Sequence, residues 1–191
     1  MEVTNLLDIH TREDLYRWYL DNHSTAKDFW IRVNRADKPY PGVGGYIEAV
    51  EVALCFGWID STQKRIDDGK PVQHFTPRRK GGNWCWHNIE RCYRLISTGE
   101  MTPAGLAVMP DWKPEDFKYQ DWVIAALEKD KTVLSNFMNF PDVYKRIKID
   151  RIQHYMDTGR PEQAYKALDK FIEDTRAGKL QRNWDDGGKL K

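Results

Sequence analysis

The stretch that decides the fold is WIDSTQKRIDDGKPVQHFTP, residues 58–77. Its two arms, WIDSTQKRI and PVQHFTP, are predicted to be extended segments. The four residues DDGK between them are typical of a hairpin turn, with Gly69 where a positive φ is needed. The sequence therefore predicts a pair of antiparallel strands.

Helical and extended patterns flank this hairpin on both sides. Thr11 followed by Asp14 resembles a capping box, which predicts a first helix over 12–21. The later elements are a half-buried strand in FWIRVNR, a helix that starts near Tyr46 and ends at Gly57, and a third helix from Asn83 to Ser97. The order helix, strand, helix, hairpin, helix predicts an α+β domain.

The second half of the chain has a different pattern. We predict the α+β domain over 1–110, a proline-containing linker over 110–120, and only helices over 120–178. One long helix is expected over 142–157. The polar residues 179–191 are expected to form a frayed, flexible tail.

Charge and composition limit the possible partners. The chain has 30 basic and 29 acidic residues, so any anion binding must be local rather than a property of the whole molecule. We find neither an export signal nor 18 consecutive apolar residues, and we expect a cytosolic protein without membrane insertion. Three cysteines without an export signal indicate reduced thiols.

The segment HFTPRRKGGNW, residues 74–84, is a candidate anion site. A helix that starts at Asn83 would present unpaired backbone N–H groups, and Arg78 and Arg79 would add full charges beside them. The alternative is a solvated basic loop that balances Asp67 and Asp68. Both interpretations remain open at this stage.

A second candidate lies on the first arm of the hairpin. In a regular strand Trp58, Asp60, Thr62 and Lys64 share one face, which places an acid and a base beside an aromatic wall. Such a set could bind a polar ligand or support acid–base chemistry. The alternative is an ion pair on the sheet face.

We expect neither a metal nor a cofactor. Cys85 and Cys92 fall on the apolar stripe of the third helix, whereas His87 points elsewhere, so these residues do not converge as zinc ligands do. The sequence also lacks a Ser-His-Asp elbow, a phosphate loop and a dinucleotide fingerprint.

Two blocks resemble a known family. YIEAVEVALCFGWIDSTQKRID and FTPRRKGGNWCWHNIERCYRLISTGEMTPAGL are similar to blocks of the YdeI/OmpD-associated (bacteriocin-protection) family. The resemblance implies a small α+β unit of the YjbR/CyaY-like group, followed by helices, and a link to bacteriocin protection or envelope stress. The resemblance implies little about activity. The residues that match by position and that we predict to bind a ligand are Trp58, Asp60, Lys64, Phe75, Arg78, Arg79, Asn83, Trp84, Asn88 and Arg91.

Three functional hypotheses follow. The first is a binding module with an aromatic, arginine-lined cleft for an anionic small molecule, single-stranded nucleic acid or a protein partner. The second is an enzyme acting on a small anionic metabolite, in which Asp60 and Lys64 are catalytic. The third is a scaffold that contacts another protein through its C-terminal helices.

Overall fold

The computed structural model describes residues 2–34, 43–66 and 69–191. The chain forms two compact units. The N-terminal unit contains Met1–Asn83 and Arg91–Pro110, and the C-terminal unit contains Trp84–Glu90 and Asp111–Lys191. The division falls at Pro110, and residues 84–90 belong to the C-terminal unit.

The described residues form eight α-helices and five strands, and the α+β fold class is confirmed. In chain order the elements are β1 (Leu6–Leu7), α1 (Arg12–Asn22), β2 (Phe29–Asn34), β3 (Val43–Gly45), α2 (Tyr46–Cys55), β4 (Trp58–Arg65), β5 (Pro71–Pro77), α3 (Trp86–Ser97), α4 (Pro103–Val108), α5 (Asp121–Leu127), α6 (Lys131–Asn139), α7 (Asp142–Asp157) and α8 (Pro161–Arg176).

The sheet of the N-terminal unit has the order β1-β2-β5-β4, and β3 pairs with β2 as well. The predicted hairpin is confirmed, because β4 and β5 pair in antiparallel fashion. Gly69 has a φ of +73°, as its place in the turn requires. Asp67 and Asp68, also assigned to this turn, lie outside the described residues, as does much of the segment predicted to connect β2 to α2.

Aromatic side chains dominate the core between the sheet and α1. Tyr19 of α1 and Phe29 of β2 are fully buried. Phe29 stacks on Phe75 of β5 with ring centroids 5.3 Å apart, and it contacts Trp58 of β4 at 5.5 Å. Burial of each such side chain contributes about 1.5–3 kcal/mol, so this cluster accounts for much of the unit's stability.

Local caps define several helix ends, and the cap at Thr11 was predicted. The Thr11 side chain accepts the backbone N–H of Asp14 at 3.0 Å, which fixes the start of α1. Thr102 caps α4, and Pro103 stands in its first turn. A Cβ at Gly105 would lie 2.5 Å from the Cys55 carbonyl oxygen, so this position requires glycine where α4 meets α2.

The C-terminal unit is built around the apolar faces of α5 to α8. Its buried core includes Val123, Leu127, Phe137 and Phe171. The observed α7 has the predicted bounds. Residues 179–191 were predicted to fray, but Leu190 is buried and the Gln181 backbone N–H donates to the Tyr144 hydroxyl at 3.1 Å. Within the described residues, no helix combines the length and hydrophobicity needed to cross a bilayer.

Candidate functional site

The third helix starts later than predicted. It begins at Trp86, and the Cys85 carbonyl accepts the N–H groups of Asn88 and Ile89. The Trp86 N–H donates to the Asp150 carboxylate at 3.0 Å. An internal carboxylate therefore occupies the helix end that we expected to attract an external anion, and the predicted start at Asn83 is wrong.

Burial affects this capping carboxylate. Burial raises the pKa of Asp150, whereas the hydrogen bond from the Trp86 N–H and the neighbouring histidines partly lower it. The balance leaves its pKa above the ordinary value. The start of α3 is thus stabilised by a hydrogen bond to a carboxylate whose charge is itself costly to bury.

The basic segment before α3 contains one half-buried and one exposed arginine. Arg78 is half-buried and donates to the Asn83 carbonyl at 3.2 Å. Arg79 and Asn83 are exposed. The alternative partners that we considered from the sequence, Asp67 and Asp68, lie outside the described residues.

The aromatic wall expected for the cleft belongs to the core. Trp58 is 1% exposed and Phe75 is fully buried. The Trp58 indole N–H donates to the His23 carbonyl at 3.1 Å. The sheet face that these two side chains share packs on α1 and α2, so neither ring is open to a ligand.

A β-bulge separates Asp60 from Lys64. Asp60 pairs with Phe75, whereas Lys64 pairs with Val72, and the register shifts between 60 and 63. Two residues that pair across neighbouring strands lie on the same face of the sheet. Val72 and Phe75 lie on different faces, because successive side chains along β5 alternate, and so their partners Lys64 and Asp60 also lie on different faces. The expected acid–base pair is therefore not formed. Asp60 instead accepts a hydrogen bond from the Tyr46 hydroxyl.

The remaining predicted residues are divided between the two units. Trp84 and Asn88 belong to the C-terminal unit, and Arg91 belongs to the N-terminal unit. Asn88 and Arg91 are buried and Trp84 is half-buried. Cys85, which we placed on the apolar stripe, is exposed because it precedes the first residue of α3.

A network of charged side chains that the sequence did not predict lies in the N-terminal unit. The Glu51 side chain is 1% exposed and faces Arg94 at 3.0 Å. Arg94 also contacts Glu100 at 3.3 Å, and Glu100 pairs with Arg12. Acids and bases thus alternate from the buried middle of α2 to the start of α1.

The outer end of this network opens into a concavity of about 440 Å³. Arg12 and Glu100 are 28% and 30% exposed, so both remain accessible to solvent. The concavity is lined by Arg12, Glu13, Tyr16, Arg17, Gly99 and Glu100. Four of these residues lie on one face of α1, because positions one turn apart on a helix are neighbours.

Two local features position the lining. Gly99 ends α3 with a φ of +73°, and the backbone N–H of Glu100 returns to the Leu95 carbonyl at 2.9 Å. This turn directs Glu100 towards α1. The Tyr16 ring is held by an edge contact with Phe56, with ring centroids 4.9 Å apart.

The network perturbs two titrating groups. Burial raises the pKa of Glu100, but the Thr98 hydroxyl and the two arginines lower it more, so it lies below its ordinary value of 4.5. Burial, reinforced by Glu100, raises the pKa of Cys55 to about 12. Glu100 is therefore a stable anion at neutral pH, and Cys55 is an unreactive thiol.

One signal for this network is present in the sequence. Glu51 stands within VEVALC, and every residue of α2 from Ala49 to Cys55 is buried. A carboxylate in the middle of an apolar helix requires a cation from another element, because an unpaired buried charge is costly. The sequence alone did not identify Arg94 as that partner.

The N-terminal unit is an α+β domain with a charged concavity beside its first helix. Residues 7–108 match the family described as Domain of unknown function (DUF8412). The match covers more than half of the chain, so the chain belongs to this family. Comparisons with curated proteins and with solved structures found no match.

This finding corrects the resemblance inferred from the two sequence blocks. The chain matches DUF8412 and not the YdeI/OmpD-associated family. The quoted blocks contain core residues such as Trp58 and Phe75, and similar core patterns arise in unrelated domains. The associations with bacteriocin protection and envelope stress, and the YjbR/CyaY-like analogy, lose the basis that the resemblance gave them.

Proposed function

We propose that the N-terminal unit is a binding module for a small zwitterionic molecule of the amino-acid type, held in the concavity beside α1. The observation that carries this proposal is the composition of the lining, in which two guanidinium groups and two carboxylates share one concavity of about 440 Å³. This volume lies within the range of about 300–1,000 Å³ typical of small-molecule sites.

The lining carries both positive and negative side chains, which favours a ligand with one charge of each sign. A ligand that carries only a carboxylate would meet Glu13 and Glu100 as well as the arginines. A zwitterion can place its carboxylate against Arg12 or Arg17 and its ammonium group against Glu100. Each charge then gains a partner, which limits the desolvation cost of binding.

The Arg12–Glu100 pair is suited to such an exchange. Both side chains are partly exposed, and Glu100 also accepts hydrogen bonds from Thr98 at 2.7 Å and from Arg94 at 3.3 Å. Glu100 therefore stays in place when Arg12 turns to a ligand. The Tyr16 ring adds an apolar surface beside these charges.

This proposal keeps the binding module expected from the sequence and changes its location and ligand. The acid–base hypothesis for Asp60 and Lys64 has no support, because the bulge places them on opposite faces. Nucleic acid or a protein as partner, and a scaffold role for the C-terminal helices, remain predictions. Large apolar side chains exposed in that unit, Met138 on α6 and Tyr165 on α8, lie on different helices.

The test is isothermal titration calorimetry with α-amino acids, each compared with the carboxylic acid and the amine that lack its second charge. A charge-assisted hydrogen bond contributes about 1.5–3 kcal/mol, so loss of one charge is expected to weaken binding by about tenfold or more. Equal affinity for the single-charge analogues, or no binding of any amino acid, would contradict the proposal.

A matched pair of arginine variants locates the site. Arg17 lines the concavity, is largely exposed and pairs with Asp14 at 3.5 Å, so Arg17→Gln is expected to weaken binding without unfolding the protein. Arg176 pairs with Asp130 at 2.8 Å on the surface of the C-terminal unit. Arg176→Gln is the control and should bind as the wild type does; equal losses in both variants would refute the assignment to the concavity.

A further inference from the structure

A row of neighbouring polar side chains crosses the sheet of the N-terminal unit. Asn5 Nδ2 donates to Asp28 Oδ1 at 3.1 Å. Asp28 Oδ2 lies 3.6 Å from His74 Nε2, and His74 Nδ1 lies 2.9 Å from Ser61 Oγ. A histidine between a serine hydroxyl and a carboxylate is the arrangement that activates serine nucleophiles on unrelated folds.

Ser61 stands opposite His74 at the β-bulge in β4. Asp60 pairs with Phe75 and Gln63 pairs with Gln73, so Ser61 and Thr62 together stand opposite His74. Bulges of this kind bend the strand and are over-represented next to active sites. Ser61 is exposed, so its hydroxyl is accessible to a substrate.

The imidazole of His74 is held rigidly. Its side chain is 5% exposed, and its ring stacks on Trp30 with centroids 4.5 Å apart and an interplanar angle of 25°. When Ser61 donates to Nδ1, the ring proton is on Nε2 and points towards Asp28. At 3.6 Å this contact is longer than a hydrogen bond, and Nε2 has no hydrogen-bond partner among the described residues, so the two groups must move closer when substrate binds.

Asn5 positions the carboxylate at the end of the row. Its φ of 53° is uncommon for a residue other than glycine, and its carbonyl accepts the Trp30 N–H at 3.0 Å. This backbone bond anchors Asn5 to β2, next to Asp28. Residues held in such conformations cluster at functional sites, because the surrounding structure must maintain them.

We propose that Ser61, His74 and Asp28 form an acyl-transfer site that hydrolyses activated carboxylic esters. Ser61 Oγ forms a bond to the ester carbonyl carbon as its proton passes to His74 Nδ1. The bond to the leaving alcohol then breaks, and the alcohol takes that proton. Water attacks the acyl-serine, gives one proton to His74 and releases the carboxylic acid, while Ser61 recovers its hydroxyl proton. Asp28 is a positioning residue that orients the imidazole and stabilises its cation.

The test treats the full-length protein with diisopropyl fluorophosphate and, separately, with p-nitrophenyl acetate. The first reagent phosphorylates an activated serine and releases fluoride. The resulting phosphoryl adduct raises the intact mass of the protein and is mapped to a residue by peptide analysis. The second releases p-nitrophenolate. We expect one adduct, on Ser61, and ester turnover above that of a buffer blank.

The variants separate catalysis from folding. Ser61→Ala changes an exposed residue and should abolish both signals, whereas Thr62→Ala, which removes the adjacent hydroxyl in the same bulge, should keep them. His74→Gln should slow labelling by about 100-fold or more, the usual contribution of a general base. Asp28→Asn should slow it too, and Asp28→Glu, which retains a carboxylate, should recover part of the rate.

Circular dichroism must show that each variant compared is folded. No adduct on Ser61 in the folded wild type, or labelling that is equally fast in folded His74→Gln, would overturn the proposal. Ester hydrolysis unchanged in Ser61→Ala would overturn it as well. None of these results depends on the concavity beside α1, so this proposal and the binding proposal fail separately.

Discussion

Replacement of Arg94 by methionine tests the buried part of the charged network. The change keeps most of the aliphatic length and removes the guanidinium 3.0 Å from Glu51. At that distance and an effective dielectric constant of about 20, the lost attraction is about 5 kcal/mol. The Glu51 carboxylate is 1% exposed, so water cannot replace the lost partner without structural change.

We expect Arg94→Met to lower the free energy of unfolding by about 3–5 kcal/mol, the usual cost of breaking a buried ion pair from one side. Glu51→Leu should cost less, because Arg94 is 19% exposed and retains Glu100. The double variant Glu51→Leu/Arg94→Met should recover most of the loss, since a well-packed apolar pair often equals a buried ion pair in stability.

The assay is urea unfolding followed by far-ultraviolet circular dichroism and by tryptophan fluorescence. Because the chain has two compact units, the two probes must first be compared, and the slope with urea must be unchanged in the variants. A loss of less than about 1 kcal/mol in Arg94→Met would show that the pair is not held in a low-dielectric environment. If the double variant were as unstable as Arg94→Met, the loss of stability would come from packing and not from the unpaired charge.

Three further outcomes follow from the same structure. The pKa of Glu100 is lowered on folding. Its contribution to the stability of the folded state is therefore complete above pH 4.5 and is lost as the pH falls through the pKa of the folded state. Glu100→Gln should therefore be less stable at neutral pH and lose less on acidification, as urea unfolding across a pH series will show. Asp150→Ala should lose about 0.5–2 kcal/mol, because it removes the acceptor at the start of α3, whereas Asp150→Asn keeps an acceptor for Trp86 and should lose less. Titration with Ellman's reagent should find one fast thiol, the exposed Cys85, and equally fast reaction of the buried Cys55 would contradict the raised pKa of its thiol.

Short-range signals explain why much of the fold was predictable. The Thr11 cap and the apolar positions of α1 lie within a few residues of each other, and the bounds of α7 were predicted to the residue. Gly57 and Gly69 have the positive φ expected at a helix end and in the turn. Each of these features depends on the chemistry of a single segment, so a pattern in the sequence is sufficient to identify it.

The start of α3 depended on a residue far away in the sequence. Asn83 is a good capping residue by propensity, which is why a start there was predicted. The observed helix begins at Trp86, whose N–H is satisfied by Asp150 of α7. Local propensity carries no information on a carboxylate that only the tertiary structure supplies.

The bulge in β4 explains why the predicted acid–base pair is not formed. In a regular strand, period-two alternation places Asp60 and Lys64 on one face, as the sequence predicted. One extra residue opposite His74 reverses the alternation beyond it, so these two side chains diverge. Ser61 precedes the shift in register and lies 2.9 Å from the imidazole of His74. Side-chain alternation in a sequence cannot locate a bulge, because the extra residue is set by pairing with β5, and that pairing therefore decides which chemistry the hairpin can support.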